Sequence, residues 1–264
     1  MNSKQTPVTS YQRVQNARSG KRPNGAAYID HMIDDFIELH GDRRFGDDAA
    51  IIGGIGYIND IAVTVIAMER GNTIEERMKR KFGCPAPEGY RKALRLMKEA
   101  EKFGRPVICM VGSSGAYCGM DAEMRGQGEA IAENLLEMMG LRVPIISVIV
   151  GEGGSGGALA LGICDSVIML ENSVYSVISP EGCASILWKD ASKANEAAEA
   201  LKLTSYDLLG FQVVEHIIPE ETKKENEIFD ALKHCIYQEL TEKQSLPTEQ
   251  LLENRYQKFR KIGA

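Results

Sequence analysis

The sequence predicts an α/β fold in which a largely parallel sheet is covered by helices. The main observation is a unit that occurs twice, an apolar strand followed by a glycine-rich turn and a helix, with the two strands at 107–111 and 144–150. Both strands are apolar at almost every position, which is typical of parallel strands buried on both faces. Strands that alternate with helices along the chain indicate the same architecture.

The composition limits the size and the partners of the protein. The chain has 264 residues, 44% of them hydrophobic, which is enough for one sizeable core, and we expect a single domain over 25–264. The net charge of -6 leaves no basic field to attract nucleic acid or anionic lipid. No segment resembles a secretory signal or a membrane span, so a cytoplasmic protein is predicted. Six cysteines lack any Cys-x-x-Cys pair, and we predict neither a disulfide framework nor a metal site in this chain.

The N-terminal part predicts a mobile arm and then a helix. Residues 1–24 are rich in Ser, Asn, Lys, Arg and Gln without an apolar period, so we expect a flexible arm. From about Ala26, apolar residues recur at three- and four-residue steps, which predicts one amphipathic helix that ends near Gly41. These apolar residues are Ile29, Met32, Ile33, Phe36 and Ile37.

A hairpin, a helix and a strand are predicted next. Runs of β-branched residues at 51–57 and 61–68 flank a short Asn-Asp turn, which favours a hairpin. Helical spacing of apolar residues over 87–103 ends at Gly104, and a strand is predicted at 106–111.

The rest of the chain predicts a second unit and a helical end. The predicted elements are a helix within 121–139, the strand 144–150, a turn at 151–157 that opens a short helix to about 163, a strand at 167–170, and helices at 223–243 and 248–261. The last two helices are rich in Lys and Glu, so we expect them to cap or dock on the domain rather than to catalyse.

The glycine-rich turn at 151–157 is the most informative segment. It has the sequence Gly-Glu-Gly-Gly-Ser-Gly-Gly. Glycines let backbone N–H groups approach a ligand closely, and the start of a helix adds positive potential, so an anionic ligand is predicted there. The alternative is a tight connection whose glycines serve packing alone.

The same segment also fits a dinucleotide-binding pattern. Gly151, Gly153 and Gly156 have the required spacing, and Glu171 follows at the position of the residue that binds a ribose. A nicotinamide-dependent dehydrogenase is therefore one hypothesis, although the helix after the turn is short for that fold.

A third interpretation is the nucleophile elbow of a serine hydrolase. Ser155 lies between Gly153 and Gly157 in the required pattern. Asp165 or Glu181, followed by His216 or His234, would complete a catalytic triad in the chain order of an α/β-hydrolase. Five glycines in seven residues satisfy such patterns easily, so only geometry can test this hypothesis.

Longer motifs resemble those of one known family, the carboxyltransferase alpha subunits of bacterial and plastid acetyl-CoA carboxylase. The resemblance runs from about Tyr28 to Pro219. It implies a crotonase-like spiral of strand-helix repeats with peripheral N- and C-terminal helices. The matching strings are Phe82-Gly-x-Pro-x-Pro-Glu-Gly-Tyr-Arg-Lys-Ala-Leu-Arg-Leu-Met97, Gly115-Ala-Tyr, Arg125-Gly-Gln, Gly151-Glu-Gly-Gly-Ser-Gly-Gly-Ala-Leu-Ala160 and Tyr175-Ser-Val-Ile-Ser-Pro-Glu-Gly-Cys-Ala-Ser-Ile-Leu-Trp-Lys189.

The resemblance implies a biotin-dependent enzyme that works in an assembly. Carboxylate would pass from carboxybiotin, carried by the biotin carboxyl carrier protein, to acetyl-CoA and give malonyl-CoA for fatty acid synthesis. The implied partners are a carboxyltransferase beta subunit with a zinc ribbon, the carrier protein and an ATP-binding biotin carboxylase, with an alpha2-beta2 arrangement of the transferase. The chain would be active only with the beta subunit.

The family's site residues carry over to the glycine-rich segments. Backbone amides of Gly156, Gly157 and Ala158 would form the oxyanion hole for the ureido oxygen of biotin. The ureido anion of biotin could itself remove the proton from the acyl-CoA methyl group, so no side-chain nucleophile is required. The implied substrate-binding residues are Gly115, Ala116, Tyr117, Gly119, Gly153 and Gly154.

The chain departs from the family at the turn before this pocket. Where typical members have Asp-Thr-Pro or Asp-Thr-Lys, it has Gly112-Ser113-Ser114, and Cys118 replaces a proline. We expect a less charged and more flexible turn. An alternative function is therefore a catalytically degenerate paralogue that acts as a binding subunit.

Two further local predictions concern charged residues near the pocket. Glu123 and Arg125 open the next predicted helix, and we expect them to form a structural ion pair. Ser179 is expected to cap a helix that carries Glu181 in its first turn.

Overall fold

One central sheet positions all the other elements. In this computed structural model, which describes residues 8–221 and 223–263, eight strands form the sheet. The strands are β1 Asp34–Glu38, β2 Ile51–Ile58, β3 Ile61–Met68, β4 Val107–Ser113, β5 Ile145–Gly154, β6 Ser166–Leu170, β7 Val174–Ser176 and β8 His216–Ile218. Their order across the sheet is β1-β2-β3-β4-β5-β6-β8, and β7 pairs with the end of β5.

Twelve α-helices occur in the same residue ranges. They are α1 Ser10–Ala17, α2 Gly25–Met32, α3 Ile74–Lys79, α4 Pro87–Lys102, α5 Met120–Met124, α6 Gln127–Gly140, α7 Ser155–Leu159, α8 Pro180–Trp188, α9 Ala194–Leu201, α10 Ser205–Gly210, α11 Glu225–Gln244 and α12 Thr248–Lys261. Across the described residues, no helix combines the length and the apolar character that a membrane crossing requires.

The sheet is antiparallel at one edge and parallel elsewhere. Strands β1, β2 and β3 pair antiparallel to one another. Strands β3, β4, β5, β6 and β8 pair in parallel. The predicted, largely parallel sheet is therefore confirmed.

Each face of the sheet has its own apolar core. Along β4, Val107, Cys109 and Val111 pack in one core with residues of α4 and α6. Ile108 and Met110 of the same strand pack in the other core, with residues of α2 and α11. Successive side chains of a strand point to opposite faces, so burial on both faces requires the continuous apolar run that predicted these strands.

The end of β5 leaves the main part of the sheet. Its pairing with β6 ends at Ile149, and its last three residues pair with β7 on that side, while Gly153 still pairs with Ser113 of β4. Between the pairs Val111–Ile149 and Ser113–Gly153, β5 advances four residues and β4 only two. The two additional residues form a bulge, and bulges redirect a strand.

The turn predicted at 151–157 is wrong, because β5 continues through the first four of these residues. Residues 151–154 are extended strand, and the helix begins at Ser155. The reason is β7, which supplies a parallel partner for these glycines from a later part of the chain.

Most of the predicted elements in the middle of the chain are confirmed. The hairpin corresponds to β2 and β3, which stay in register from Ile51–Met68 to Ile58–Ile61. The helix predicted at 87–103 is α4. The helix predicted within 121–139 is divided into α5 and α6 at Gly126, whose φ of 79° lies in the left-handed region that favours glycine.

The helix predicted from Ala26 to Gly41 is wrong in its second half. Helix α2 ends at Met32 and β1 begins two residues later. Ile33 and Phe36 contact the same core as α2, so their spacing resembles a continued helix. The hydrogen bonds that make this segment a strand come from β2, which is distant in sequence.

The mobile arm predicted over 1–24 is also wrong where the structure describes it. Helix α1 has a capping box formed by Thr9 and Gln12. Its residues Val14 and Ala17 are buried in a small core with residues of β7 and α9. The polar composition hid this short apolar face, because each turn of α1 contributes one apolar residue. Residues 1–7 lie outside the described residues.

The two helices predicted at the end of the chain are present as α11 and α12. Four residues of α11 enter one core of the sheet, namely Phe229, Leu232, Ile236 and Leu240. Helix α12 is fixed by the fully buried side chain of Arg255, which pairs with Asp165 at 2.8 Å. Arg255 also donates to three backbone carbonyls at the end of α6 and in the loop that follows, those of Met138, Leu141 and Val143.

Candidate active site

Two glycine-rich segments meet at the ends of β4 and β5. Parallel pairing places Ser113 opposite Gly153. A Cβ atom on Gly154 would lie 2.0 Å from the carbonyl oxygen of Ser114. Since real Cβ atoms do not approach backbone so closely, only glycine permits this contact.

The second close contact joins α7 to the turn after β4. A Cβ atom on Gly157 would lie 2.3 Å from the amide nitrogen of Ala116 and 2.6 Å from the carbonyl carbon of Gly115. The structure therefore brings together four of the residues singled out in the sequence, Gly115, Ala116, Gly154 and Gly157.

The start of α7 leaves backbone amides without acceptors. In an α-helix, the N–H groups of the preceding residue and of the first three helical residues have no acceptor within the helix. In α7 these residues include Gly156 and Gly157. No side chain and no loop carbonyl in residues 8–221 and 223–263 accepts a hydrogen bond from either amide. Ala158 is the first residue whose amide has a helical acceptor position, the carbonyl of Gly154. Two of the three predicted amides therefore have no acceptor position within the helix.

Ser155 begins α7 with a left-handed backbone. Its φ is 54°, a conformation that non-glycine residues adopt rarely and at a cost of about 1 kcal/mol or more. The side chain of Ser155 is exposed. This tight turn moves the chain from strand to helix within one residue.

An apolar cavity of about 460 Å³ opens beside α7. Ser155 and Gly156 lie on its wall, whereas Gly157 and Ala158 are buried behind it. The remaining wall is mostly apolar and includes Leu159, Tyr175, Val177, Leu208, Val213, Phe259 and Ile262. A concave apolar site with a few polar groups at one end is typical of small-molecule binding.

The side chain of Tyr90, in α4, contacts the first turn of α7. Its buried hydroxyl donates a hydrogen bond of 3.2 Å to the carbonyl oxygen of Gly157. Burial raises the pKa of Tyr90 well above its ordinary value, so the hydroxyl remains a donor at neutral pH. Apolar periodicity predicts Tyr90 only as a core residue of a helix, and nothing local in the sequence indicates its contact with a turn 67 residues later.

The turn after β4 is closed by a serine. The Ser113 hydroxyl accepts from the Gly115 amide at 3.1 Å and donates to the Gly115 carbonyl at 2.7 Å. These two bonds fix the turn although it lacks the charged residue and the proline of typical family members.

Tyr117 and Gly119 lie on the far side of the same turn. The Tyr117 amide donates to the carbonyl of Pro85 at 3.0 Å, and the Lys81 amine lies 5.7 Å from the centre of the Tyr117 ring. A Cβ atom on Gly119 would lie 2.4 Å from that ring, so Gly119 provides room for it. Tyr117 is half-buried and does not line the apolar cavity.

The predicted pair of Glu123 and Arg125 is wrong. Arg125 instead pairs with Glu88 of α4 at 2.9 Å and with Asp121 at 3.3 Å. Glu88 is buried and so provides the stronger electrostatic partner, because a buried charge requires a counter-charge.

The N-terminal segment and α8 border the glycine segments on the other side. Arg18 pairs with Glu152 of β5 and with Glu181 of α8, both at 2.7 Å. The hydrogen bond from Arg18 lowers the pKa of Glu181, so this carboxylate stays charged. Ser179 accepts from the amide of Gly182, which confirms the predicted helix cap.

The geometry does not favour a dinucleotide site. Glu171, the predicted ribose ligand, is buried and accepts from the hydroxyl of Tyr206 and the amides of Glu220 and Glu221. It also faces Arg13 at 3.9 Å. The helix after the glycines has five residues, too few for the crossover helix of that fold.

The catalytic triad of a hydrolase is not assembled either. His216 contacts Glu239 at 2.8 Å, and Asp165 is paired with Arg255. Glu181 pairs with Arg18, so each predicted acid is engaged elsewhere. The described residues also contain no group of three His, Cys, Asp or Glu side chains placed to hold a metal ion.

Comparison with known sequences identifies close relatives. Residues 2–263 match the family model described as acetyl co-enzyme A carboxylase carboxyltransferase-like. The acetyl-coenzyme A carboxylase carboxyl transferase subunit alpha of Clostridium acetobutylicum is 55% identical over 260 residues, covering 97% of this chain and 95% of the relative. The protein of the same name from Streptococcus uberis is 56% identical over 247 residues, covering 94% of this chain and 96% of the relative.

Solved structures with the same fold are more distant in sequence. Transcarboxylase 12S superposes with a TM-score of 0.70 at 19% identity, covering 91% of this chain and 46% of that chain. The beta subunit of geranyl-CoA carboxylase from P. aeruginosa gives a TM-score of 0.63 at 17% identity, covering 94% and 48%. The predicted crotonase-like fold is thus confirmed. With the sequence matches, these findings show that the chain belongs to the family of acetyl-CoA carboxylase carboxyltransferase alpha subunits.

Proposed function

We propose that this chain binds carboxybiotin for an acetyl-CoA carboxylase carboxyltransferase and stabilises the negative charge that develops on the ureido oxygen. The observation that carries the proposal is the pair of backbone amides at Gly156 and Gly157, which have no acceptor within α7 and lie beside an apolar cavity. The names of the relatives, which are carboxyl transferase subunits of acetyl-CoA carboxylase, support this reaction.

The residues of this chain act by position rather than by covalent chemistry. Carboxybiotin would supply the carboxyl group to the methyl carbon of acetyl-CoA, and as its N–C bond breaks, negative charge would develop on the ureido oxygen. Amides aimed at that oxygen stabilise this charge more in the transition state than in the ground state. The hydrogen bond from Tyr90 to the Gly157 carbonyl holds the first turn of α7, which carries the two amides, against α4.

The complete site needs other chains. A second oxyanion hole is required for the thioester oxygen of acetyl-CoA, and we assign it to a beta subunit. The biotin carrier protein and biotin carboxylase would deliver carboxybiotin. We therefore expect the isolated chain to be inactive, and to act within an alpha2-beta2 transferase.

The test is a reconstituted assay with one sharply chosen variant. The chain is mixed with a cognate beta subunit, and malonyl-CoA-dependent carboxylation of free biocytin is measured. In Gly156→Ala the new Cβ meets only Ile131, at 3.8 Å, so the fold accommodates it, but the methyl group stands on the cavity wall beside the amide. We expect kcat/KM to fall at least about tenfold, a loss of roughly 1.4 kcal/mol in transition-state binding, without a lower Tm.

Gly140→Ala is the matched control. It adds the same methyl group at the end of α6, where nothing lies within 4 Å of the new Cβ, and should leave the activity unchanged. The proposal is contradicted if Gly156→Ala keeps wild-type turnover. It is equally contradicted if the wild-type chain forms a stable complex with the beta subunit but yields no turnover.

A further inference from the structure

A second cavity, which we call the arginine cavity, lies between the N-terminal segment and the ends of β3, β4 and β5. It has a volume of about 100 Å³. Its wall includes Arg18, Arg22 and Arg70, together with Gly112 and Gly151 at the strand ends. A space of this size holds several water molecules, or one oxyanion of five heavy atoms.

Three arginines line the arginine cavity, and they differ in their counter-charges. Arg18 pairs with Glu152 and with Glu181, both at 2.7 Å. Arg22 lies 2.9 Å from a carboxylate oxygen of Glu220. Within the described part of the chain, Arg70 is the arginine of this wall without a carboxylate partner.

Arg22 has a buried donor without an acceptor. Its Nη2 atom lies 2.9 Å from Oε1 of Glu220, but the contact is not aligned for a hydrogen bond. Within the described part of the chain Nη2 thus has no hydrogen-bond partner. The Arg22 side chain is 9% exposed, so bulk water does not readily compensate for the missing acceptor.

Arg70 lacks a counter-charge. Its Nη2 atom donates to the carbonyl oxygens of Ser19 and Arg22, both at 2.7 Å. No carboxylate lies within 4.0 Å of Arg70 among residues 8–221 and 223–263. Burial and the nearby charge of Arg77 lower the pKa of Arg70, which reflects a site that favours an added negative charge.

We propose that the arginine cavity binds a phosphate-type oxyanion, held mainly by Arg22 and Arg70. Arg22 has a buried donor without an acceptor, and Arg70 donates only to backbone carbonyls. Guanidinium groups bind the oxygens of phosphate through paired N–H bonds. The anion can be free inorganic phosphate or a phosphate group of a coenzyme. This site is separate from the amides at the start of α7 and does not depend on the function proposed for them.

An anion in this cavity would fix the N-terminal segment to the sheet. Arg18 and Glu152 also line a smaller cavity of about 80 Å³, together with Gly153 and Gly154. Binding at the arginine cavity would therefore hold the segment that borders the glycine-rich site.

The primary experiment measures thermal unfolding of the full chain in sodium phosphate and in sodium chloride of equal ionic strength. Phosphate at ten times its Kd should raise the Tm saturably by about 3 °C. In Arg70→Met the affinity should fall at least about tenfold, because a charge-assisted contact to the anion is lost. The matched control is Arg105→Met, which removes a half-buried arginine at the opposite end of β4 and should keep wild-type affinity.

Two further measurements identify where the bound phosphate group comes from and cover the case in which Arg70→Met does not fold. If coenzyme A raises the Tm through Arg70 and inorganic phosphate does not, the bound oxyanion is a phosphate group of the coenzyme. Should Arg70→Met not fold, Arg70→Lys keeps the charge without the planar fork, and calorimetry should show several-fold weaker phosphate binding than the wild type. Equal Tm values in phosphate and chloride with no effect of coenzyme A, or an Arg70 variant with wild-type affinity, would overturn the proposal.

Discussion

Gly157 joins α7 to the turn after β4, and a side chain there should disturb both. In Gly157→Val the Cβ would lie 2.3 Å from the Ala116 amide and 2.9 Å from the Tyr90 hydroxyl, so the backbone must shift. We expect turnover of biocytin to fall by about 10²- to 10³-fold, as for the loss of one oxyanion donor. Unlike Gly156→Ala, this variant should also have a lower Tm. A Gly157→Val enzyme with wild-type kcat would exclude this role.

Tyr90→Phe tests the hydrogen bond between Tyr90 and the first turn of α7. The change removes the hydrogen bond to the Gly157 carbonyl and keeps the ring in its buried position. We expect kcat to fall about tenfold with little change in KM for biocytin, and unfolding free energy to fall by about 1 kcal/mol. Steady-state kinetics and urea unfolding measure the two effects separately. An unchanged kcat with lower stability would show that Tyr90 serves packing alone.

The residues of the site divide into those that local sequence indicates and those that it does not. The glycines at 153–157 predicted free amides, because a glycine-rich helix start has a known chemistry. Tyr90 and Arg22 could not be assigned from local pattern, since their partners are more than 60 residues away in the chain. Even within the glycine segment, the sequence could not show that Ala158 starts the helical bonding pattern.

Among the elements, α12 depends on one buried arginine. Arg255 is 1% exposed and donates to Asp165 and three carbonyls. Replacement by methionine leaves Asp165 buried without its counter-charge, which costs about 3 to 5 kcal/mol of unfolding free energy. Urea unfolding should show this loss for Arg255→Met. Arg260→Met on the exposed side of α12 should change stability by less than about 0.5 kcal/mol, and equal effects of the two variants would refute the argument.

Element predictions succeeded where the local pattern and the tertiary partners agree. The hairpin of β2 and β3 was predictable, since its two strands are adjacent in sequence and bond to each other. Strand β1 and the end of β5 were not, because β2 and β7 supply their hydrogen bonds from elsewhere. Helix α1 was missed since its stability comes from burial against β7 and α9, not from its own composition.

The whole molecule should lose stability in acid partly through Asp42. Burial acts to raise the pKa of Asp42, but three backbone amides and the Arg91 guanidinium outweigh it and lower the pKa to about 2 from 3.8. A carboxyl whose folded pKa is lowered stabilises the fold above the unfolded pKa. That contribution, about 2 kcal/mol, is therefore lost as the pH falls from about 4 to 2.

The acid prediction is checked by urea unfolding of the wild type and Asp42→Asn between pH 7 and pH 2. The variant should be less stable at pH 7 and should lose less stability between pH 4 and pH 2 than the wild type. Identical pH dependence in both proteins would exclude Asp42 as a source of the acid sensitivity.

At the scale of the whole chain, the α/β class could be predicted from strands that are apolar on both faces. The spiral crotonase-like path could be predicted only from the family resemblance.

The close contacts of Gly154 with Ser114 and of Gly157 with Ala116 leave little freedom in the path of the main chain. The side chains of Ser114 and Cys118, in contrast, point outward and are exposed. Attempts to change the substrate preference should therefore vary the side chains at positions 114 and 118, where a new side chain need not alter the backbone. Gly154 and Gly157 should be kept.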